Sequence, residues 1–484
     1  MPNKAPDKDQ VPLCVDLDGT LIKADSLFES FLLLLKENPL YCIIALTWLI
    51  KSKAYFKAEI AKRVSLEVDT IPFNNEVIDY IRSQATGRKI LLITGSNISL
   101  AEAIADYLKL FDEVVASDSS TNLTGSHKRN YLVDRFGERG FEYIGNDKAD
   151  MSVWSSAKQV SVVSQDNFFL GQVRLTFSVE KEFHLPTPSI RDYLQAIRVH
   201  QWVKNSLIFV PLILDHRLHD LDAIVQLILC FLSLSMLASF TYIINDLLDL
   251  QSDRRNQYKR GRAFASGLIS IKQASMMMVT LLFLVIVLAT QLPPFFILVM
   301  LVYLVATLLY SFYFKNIAIL DVAVLAGLFT LRVIGGSVAI EAEWSFWLLA
   351  FSMFFFLSLA FAKRFSELDN LRSEGRTSTL GRGYYVDDLP LLMGSGIASG
   401  YISILVVALY INSEKVSRMY AHPEILWLIC PLLLYWVGRI WMITGRGEMH
   451  EDPIVFAIRD GTSIKTILLC GIILLGAVMT SVGK

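Results

Sequence analysis

Cysteine is scarce and scattered in this chain. Cys14, Cys42, Cys230, Cys430 and Cys470 form no CxxC pair, so neither a disulfide framework nor a zinc site is implied, and buried packing is their expected role. Charge is thin as well. Asp, Glu, Lys and Arg make up 19% of 484 residues while 53% are hydrophobic, too apolar a balance for one soluble globule and one that points to an integral membrane protein. Neither sign dominates: the formal net charge is −1 and the basic residues are not gathered on one face, so nucleic acid is not an expected partner. The opening MPNKAPDKDQ is polar and charged, unlike a cleavable signal peptide, and the N-terminal part is expected to stay in the cytosol. No obligate protein partner is implied.

What is present falls into two unlike halves. Up to about Phe177, short β-like runs alternate with helical stretches: VPLCVDLDGT, KILLITGSN, EVVASD, YIGND and KQVSVVS. Such alternation predicts a parallel sheet with helices on both faces, with ligands at the carboxyl ends of the strands. A polar connector, VEKEFHLPTPS, follows, with Pro186 and Pro188 blocking either element and Ser189 placed to cap the next helix. The expected division is a domain over 1–180, a linker over 181–190 and a membrane domain over 191–484.

In the second half about nine apolar segments recur, near 202–214, 221–248, 270–290, 293–313, 317–340, 344–362, 388–411, 423–442 and 464–482. Most suit a hydrocarbon core of roughly 30 Å, and the first is short enough to be re-entrant. This is an all-α polytopic bundle behind an α/β domain. Counting from a cytosolic start, Arg254 to Lys272, Lys363 to Arg382 and Arg439 to Lys465 fall inside, leaving Arg217, Lys415, Arg418 and Lys484 outside, in keeping with the positive-inside rule. The expected location is the inner (plasma) membrane. A shorter run, Leu40 to Ile50, followed by Lys51, Lys53 and Lys57, is too short to span. It is read as a cap helix packed internally or, alternatively, as a segment dipping into the membrane interface.

The segment YIINDLLDLQSDRRNQYKRGRAFASG ends one of these apolar runs. Asp246, Asp249 and Asp253 stand at i, i+3 and i+7, with Asn245 four before Asp249, so a helix would line them on one stripe. Acids at the edge of hydrocarbon are costly and mark function. A magnesium ion takes carboxylate and phosphate oxygens, so the stripe suits a metal-bound diphosphate, with Lys259 and Arg262 contacting the phosphates. A solvated helix end with Asp/Arg pairs is the plainer reading.

NDLLDLQSD resembles the NDxxDxxxD motif of the UbiA-type membrane transferases, and KRGRAFASG resembles the basic loop that follows it there. The resemblance covers about 190–484 and implies a nine-helix bundle, a cytosolic cavity between two polar motifs, and Mg2+ bridging a diphosphate. At the second motif this chain reads AKRFSELDN, placing Lys363, Arg364, Glu367 and Asp369 instead of DxxxD, a departure from the aromatic prenylating branch. RVHQWVKNSLIF, with Arg198, Gln201, Trp202, Lys204 and Asn205, and the KRFSEL segment are similar to the decaprenyl-phosphate phosphoribosyltransferase subgroup. That subgroup implies phosphoribosyl diphosphate at the magnesium site and transfer of its 5-phosphoribose to a polyprenyl phosphate. Tyr310, Lys315 and Asp321 lie at another cytosolic helix end. Arg332 lies inside a span, as a substrate contact or the partner of an intramembrane acid, and Arg376 and Arg382 lie in a loop. Prenyl transfer from a prenyl diphosphate to an aromatic acceptor is the alternative. Transport is a third class, though transporter sites tend to sit at the bilayer midplane.

CVDLDGTL resembles the DxDGT motif of haloacid dehalogenase-like phosphatases, a Rossmannoid fold. The resemblance implies Asp16 as nucleophile, Asp18 as acid/base, Thr94 in ITGSN as phosphoryl donor and Lys128 in GSHKRNY as the cation. Such a pair splits phosphate ester hydrolysis into formation and breakdown of an aspartyl phosphate. The fourth motif reads GNDKAD, with Asn146 in a usual Asp position beside Asp147 and Asp150. Asp16, Asp18, Asn146 and Asp150 are the implied Mg2+ ligands. An uncharged Asn ligand weakens metal binding, so an active phosphatase and a degenerate scaffold both stand.

Overall fold

Short apolar runs bounded by polar turns become the strands of a six-stranded, all-parallel sheet in the computed structural model. It describes residues 11–479 apart from 86, 119–121, 374, 376–382, 415, 417–419, 421 and 450–451. The strands are β1 (Leu13–Val15), β2 (Ile90–Asn97), β3 (Glu113–Ser117), β4 (Glu142–Gly145), β5 (Val160–Ser164) and β6 (Val179–His184), in the order β3-β2-β1-β4-β5-β6. Strand order reverses on either side of β1, and the crevice at its carboxyl end is where such sheets place ligands. Alternation builds the two faces: Leu13, Val15, Ile90 and Leu92 pack into one apolar layer, Cys14, Leu91 and Ile93 into the other. The connector reading of VEKEFH does not hold: Val179–His184 pairs in parallel with β5 as an edge strand, where charged residues are tolerated and guard an open edge.

The chain forms two compact units, one of Met1–Ile197 with Tyr242–Val279, the other of Arg198–Thr241 with Thr280–Lys484. In the first unit three helices follow β1: α1 (Ser26–Glu37), α2 (Tyr41–Lys51) and α3 (Lys53–Ala61). Asp25 caps α1 by accepting from Phe28 N. α2 contains the short apolar run noted above, and only Ala45 and Trp48 are buried in it. Ile43 is 68% and Ile50 85% exposed, so internal packing describes a minority of the helix.

Seven helices among the described residues are long and apolar enough to cross a membrane: Leu221–Leu248, Ile271–Ala289, Pro294–Phe312, Leu320–Ala339, Phe346–Ser373, Val386–Ile411 and Pro423–Gly445. Pro453–Arg459 and Gly461–Ala477, bent by 77°, add an eighth if taken as one span. The ninth expected segment, 202–214, is not one. It is 3-10 turns over Val199–Phe209 and a five-residue helix Val210–Leu214, and even as a full α-helix its thirteen residues would reach only about 20 Å. The core of the second unit is rich in aromatics, with Phe355 stacked on Trp436 at 5.4 Å. Gly396 lets Phe346–Ser373, Val386–Ile411 and Pro423–Gly445 close up: a Cβ there would lie 2.0 Å from the Trp441 ring and 2.9 Å from Phe361 Cβ.

Candidate active sites

Three parallel strands converge on the first site. Asp16 follows β1, Thr94 lies in β2 and Asn146 follows β4. Lys128 Nζ reaches Asp16 Oδ1 at 2.8 Å, Tyr143 Oη at 2.8 Å and Asp150 Oδ1 at 3.8 Å. Tyr143 in turn donates to Asp150 at 2.8 Å, and the second Asp150 oxygen accepts from Asn146 N and Asp147 N. Asp18 accepts from Ser26 N at 2.8 Å, Ser26 Oγ at 3.2 Å and Ser96 Oγ. Thr94 is buried and takes Ser96 N at 3.0 Å. Burial pushes the Asp16 carboxyl up to about 7, with Asp150 and Asp18 adding to the rise and Lys128 opposing it. Burial likewise raises Asp18. Burial pulls Lys128 down, but Asp16 and Asp150 outweigh that and leave it raised and charged.

The second acidic segment lies in the same unit. Leu221–Leu248 ends one residue before Asp249, and Leu250–Arg255 continues after it. The expected helical stripe is thus broken at Asp249, although helical spacing persists through the break: Asp249 N donates to Asn245 O at 3.0 Å and Asp253 N to Asp249 O at 2.8 Å. Asn245 is half-buried. Arg262 Nη1 stands between Asp246 Oδ1 (3.4 Å) and Asp253 Oδ2 (2.8 Å), and Lys259 is 3.9 Å from Asp253. Asp249 instead accepts from Lys36 Nζ of α1 at 2.9 Å. Glu29 of α1 grips Arg254 with both carboxylate oxygens, and Arg254 Nε donates to Ala265 O at 2.8 Å. Among the described residues no three acids form a ready metal cluster in this conformation.

In the second unit the predicted cations sort into two groups. Arg364 is sealed among Asp321, Glu367 and Tyr310, and Tyr384 Oη donates to Asp321 from the other side. Asn205 accepts from Arg332 Nε at 2.7 Å and donates to Ser235 at 3.0 Å, and Trp202 Nε1 donates to Ser239 at 2.9 Å. Arg332 also meets Leu328 O and Tyr303 Oη, so the partners found are neutral and no intramembrane acid is among them. The second group is more open in its chemistry: Lys204 pairs with Asp452, and half-buried Lys363 lies in Coulombic reach of both. Lys315 is half-buried in the turn Phe314–Asn316, and Asp369 pairs with Arg372 at 2.5 Å. Arg376, Arg382, Lys415, Arg418 and Lys484 lie outside the described residues.

Sequence reasoning missed Glu29, Lys36, Tyr143, Ser26, Ser96 and Asp452. One signal was available: Glu29 and Lys36 are seven apart on a largely apolar helix, hence on one face. Nothing local marks Asp452 as the partner of Lys204.

The model of the UbiA prenyltransferase family matches residues 213–459. Across 460 residues the chain is 39% identical to the uncharacterized protein y4nM of Sinorhizobium fredii, covering 94% of this chain and 88% of that one. Nodulation protein NoeC of Azorhizobium caulinodans is 32% identical over 276 residues, 57% of this chain and 90% of that protein. Decaprenyl-phosphate phosphoribosyltransferase of Mycobacterium tuberculosis is 32% identical over 187 residues, 38% of this chain and 62% of that protein.

Proposed function

Because the chain belongs to the UbiA prenyltransferase family, we propose that it is a Mg2+-dependent membrane transferase moving 5-phosphoribose from phosphoribosyl diphosphate to a polyprenyl phosphate, fused to a haloacid dehalogenase-like phosphohydrolase over about 1–180. The observation that carries the choice of acceptor is the Lys204–Asp452 ion pair, with the ammonium of Lys363 close enough to feel both charges. A neutral aromatic acceptor needs no such excess of positive charge, whereas a lipid phosphate does. The similarity to a decaprenyl-phosphate phosphoribosyltransferase supports the same substrate pair.

The acid segment fits a magnesium ion: its donors are carboxylate oxygens, and a positive nitrogen of Arg262 already occupies the point between Asp246 and Asp253. Asp246, Asp249 and Asp253 would hold the metal, which would supply positive charge to a diphosphate leaving group. Arg262 and Lys259 then bind diphosphate oxygens, with Asn245 beside them. Lys204 and Lys363 would hold a lipid phosphate, an acceptor that is already an anion and so needs no general base. Asn205, held by Arg332 and Ser235, and the Arg364–Glu367 pair lie in the same segments as these cations and would contact substrate, with Lys315 contributing further positive charge.

In the N-terminal domain Asp16 is the nucleophile and Asp18 the proton donor, while Lys128 and Thr94 hold the phosphoryl group. A magnesium ion suits the oxygens of Asp16, Asp18 and Asn146, with Asp150 as a further donor. A Cβ on Gly19 would lie 2.0 Å from the Asn146 amide nitrogen, so Asn146 packs directly on the loop that carries Asp16 and Asp18. The exposed apolar side chains of α2, with Lys51 and Lys53 exposed beside them, rest in the membrane interface.

The test supplies purified protein with Mg2+, ribose-labelled phosphoribosyl diphosphate and polyprenyl phosphate; label is expected in the lipid phase. The family's own name favours a second reading, prenyl transfer to an aromatic acceptor. It prevails if prenyl diphosphate and 4-hydroxybenzoate are consumed and phosphoribosyl diphosphate is left intact.

A further inference from the structure

Next to Asp18 the N-terminal unit encloses a cavity of about 150 Å³. Its polar wall is Ser26, Ser30, Lys57, Ser96, Asn97 and Ser99, and the remainder is aliphatic apart from one more serine. Among the described residues, no aromatic ring and no carboxylate lines it. The Ser26 and Ser96 hydroxyls in this wall are the same ones that donate to Asp18, so the cavity begins at the proposed proton donor. In an ester cleaved there, the phosphoryl group faces Asp16 and the leaving alcohol faces Asp18, which sends the alcohol into the cavity.

The wall selects by chemistry. Without a flat ring it gives a nucleobase or an aryl group nothing to stack on. Without an acid it leaves a cationic alcohol unpaired. The wall's polar groups already bond within the protein, Lys57 to Gly95 O and Asn122, Ser30 to Ser26 O and Ser99 to Asn97, which holds them in place around the space. Pockets for drug-sized molecules run from about 300 to 1,000 Å³, so this one suits something smaller than a nucleoside. Serine hydroxyls and an amide both donate and accept, which matches a small ring bearing several hydroxyls.

We propose that the N-terminal domain takes the phosphomonoester of a small polyol of pentose size, a pentose 5-phosphate, either free or carried on the lipid product of the membrane domain. This rests on the phosphohydrolase reading above. An Asp16 oxygen bonds to phosphorus as the P–O5 bond breaks, and the departing alkoxide takes the Asp18 proton. Water then attacks the aspartyl phosphate, returns a proton to Asp18 and releases inorganic phosphate, so ester and water become polyol and phosphate. α1 favours the lipid-carried source. Ser26 and Ser30 of that helix wall the cavity, while its Glu29 and Lys36 hold Arg254 and Asp249 of the acid segment.

The experiment measures phosphate released by the full-length protein in detergent from ribose 5-phosphate, AMP and p-nitrophenyl phosphate. A separate arm uses polyprenyl-phosphoribose made in place from phosphoribosyl diphosphate and polyprenyl phosphate. The expected result is a kcat/KM for the pentose 5-phosphate, in one arm or the other, at least tenfold above that for AMP and the aryl ester; the ratio of the two arms identifies the source. Ser30→Leu, which fills the cavity, should bring that preference near unity. Equal use of all esters by the wild type, or a preference for AMP, overturns the pocket assignment and leaves the phosphohydrolase standing. No phosphate from any ester overturns the phosphohydrolase and the proposal with it. The wild-type ranking decides the matter even where the variant does not fold.

Discussion

The acidic loop after β1 and the acidic segment after Leu221–Leu248 carry their charge in opposite ways, although both belong to one compact unit. At the first, Lys128 is sealed at 5% side-chain exposure against Asp16, and Tyr143 and Asp150 leave it no freedom. At the second, apart from the buried Arg254–Glu29 pair, the cations stand at the rim: Arg262 is 35%, Lys259 36% and Lys36 37% exposed. A sealed cation belongs to the scaffold and holds one geometry for covalent chemistry. A rim cation can be traded, because its own side chain still reaches water even where Asp246 and Asp253 are buried. On the proposed function, the difference separates a site for a nucleophile from a site that exchanges its counter-ions for a metal-bound substrate.

Breaking each side separately sharpens that contrast. Asp16→Asn should abolish phosphate release while leaving lipid labelling at wild-type levels, read from the aqueous and lipid phases of one reaction. Asp249→Asn or Asp253→Asn should do the reverse, lowering transfer by ~10²–10³-fold with the protein still folded in the membrane, and excess chelator should mimic the loss. Full transfer in either variant would remove the metal–diphosphate assignment. Glu29→Gln should leave Arg254 buried without its counter-charge, destabilising the unit by about 3–5 kcal/mol, measured as a lowered unfolding midpoint. An unchanged midpoint would show the pair to be dispensable.

Smaller effects are expected at Lys204, Glu367 and Lys36. Lys204→Ala and Glu367→Ala should each cut kcat/KM for phosphoribosyl transfer by about tenfold, a loss of ~1.4 kcal/mol. If Lys36 is exchangeable, Lys36→Met should lower the Mg2+ concentration for half-maximal transfer a few-fold, since the ammonium at Asp249 competes with the metal. A raised requirement would show instead that Lys36 helps to hold the substrate.

The sequence made both acidic loops nameable because each lies in one short stretch, CVDLDGTL and NDLLDLQSD. The alternation of runs likewise announced five of the six parallel strands. β6 escaped because VEKEFH carries its charges on a sheet edge, where alternation of apolar and polar residues is not enforced. The segment 202–214 misled because apolar composition does not distinguish a span from a short buried turn. The partners were illegible for another reason. Lys36 and Asp249 lie 213 residues apart, Glu29 and Arg254 225, and Lys204 and Asp452 248, and no local pattern encodes a pairing across such distances.

On the proposed function one chain attaches a phosphorylated pentose to a lipid and then removes its phosphate. This pair of steps is tested most directly with phosphoribosyl diphosphate carrying 14C in the ribose and 32P at the 5-phosphate, incubated with polyprenyl phosphate, Mg2+ and either wild type or Asp16→Asn. The expected result is 14C alone in the wild-type lipid and both isotopes in the Asp16→Asn lipid. Both isotopes in the wild-type lipid at the ratio found for Asp16→Asn would contradict the second step, and absence of 14C from either lipid would contradict the first.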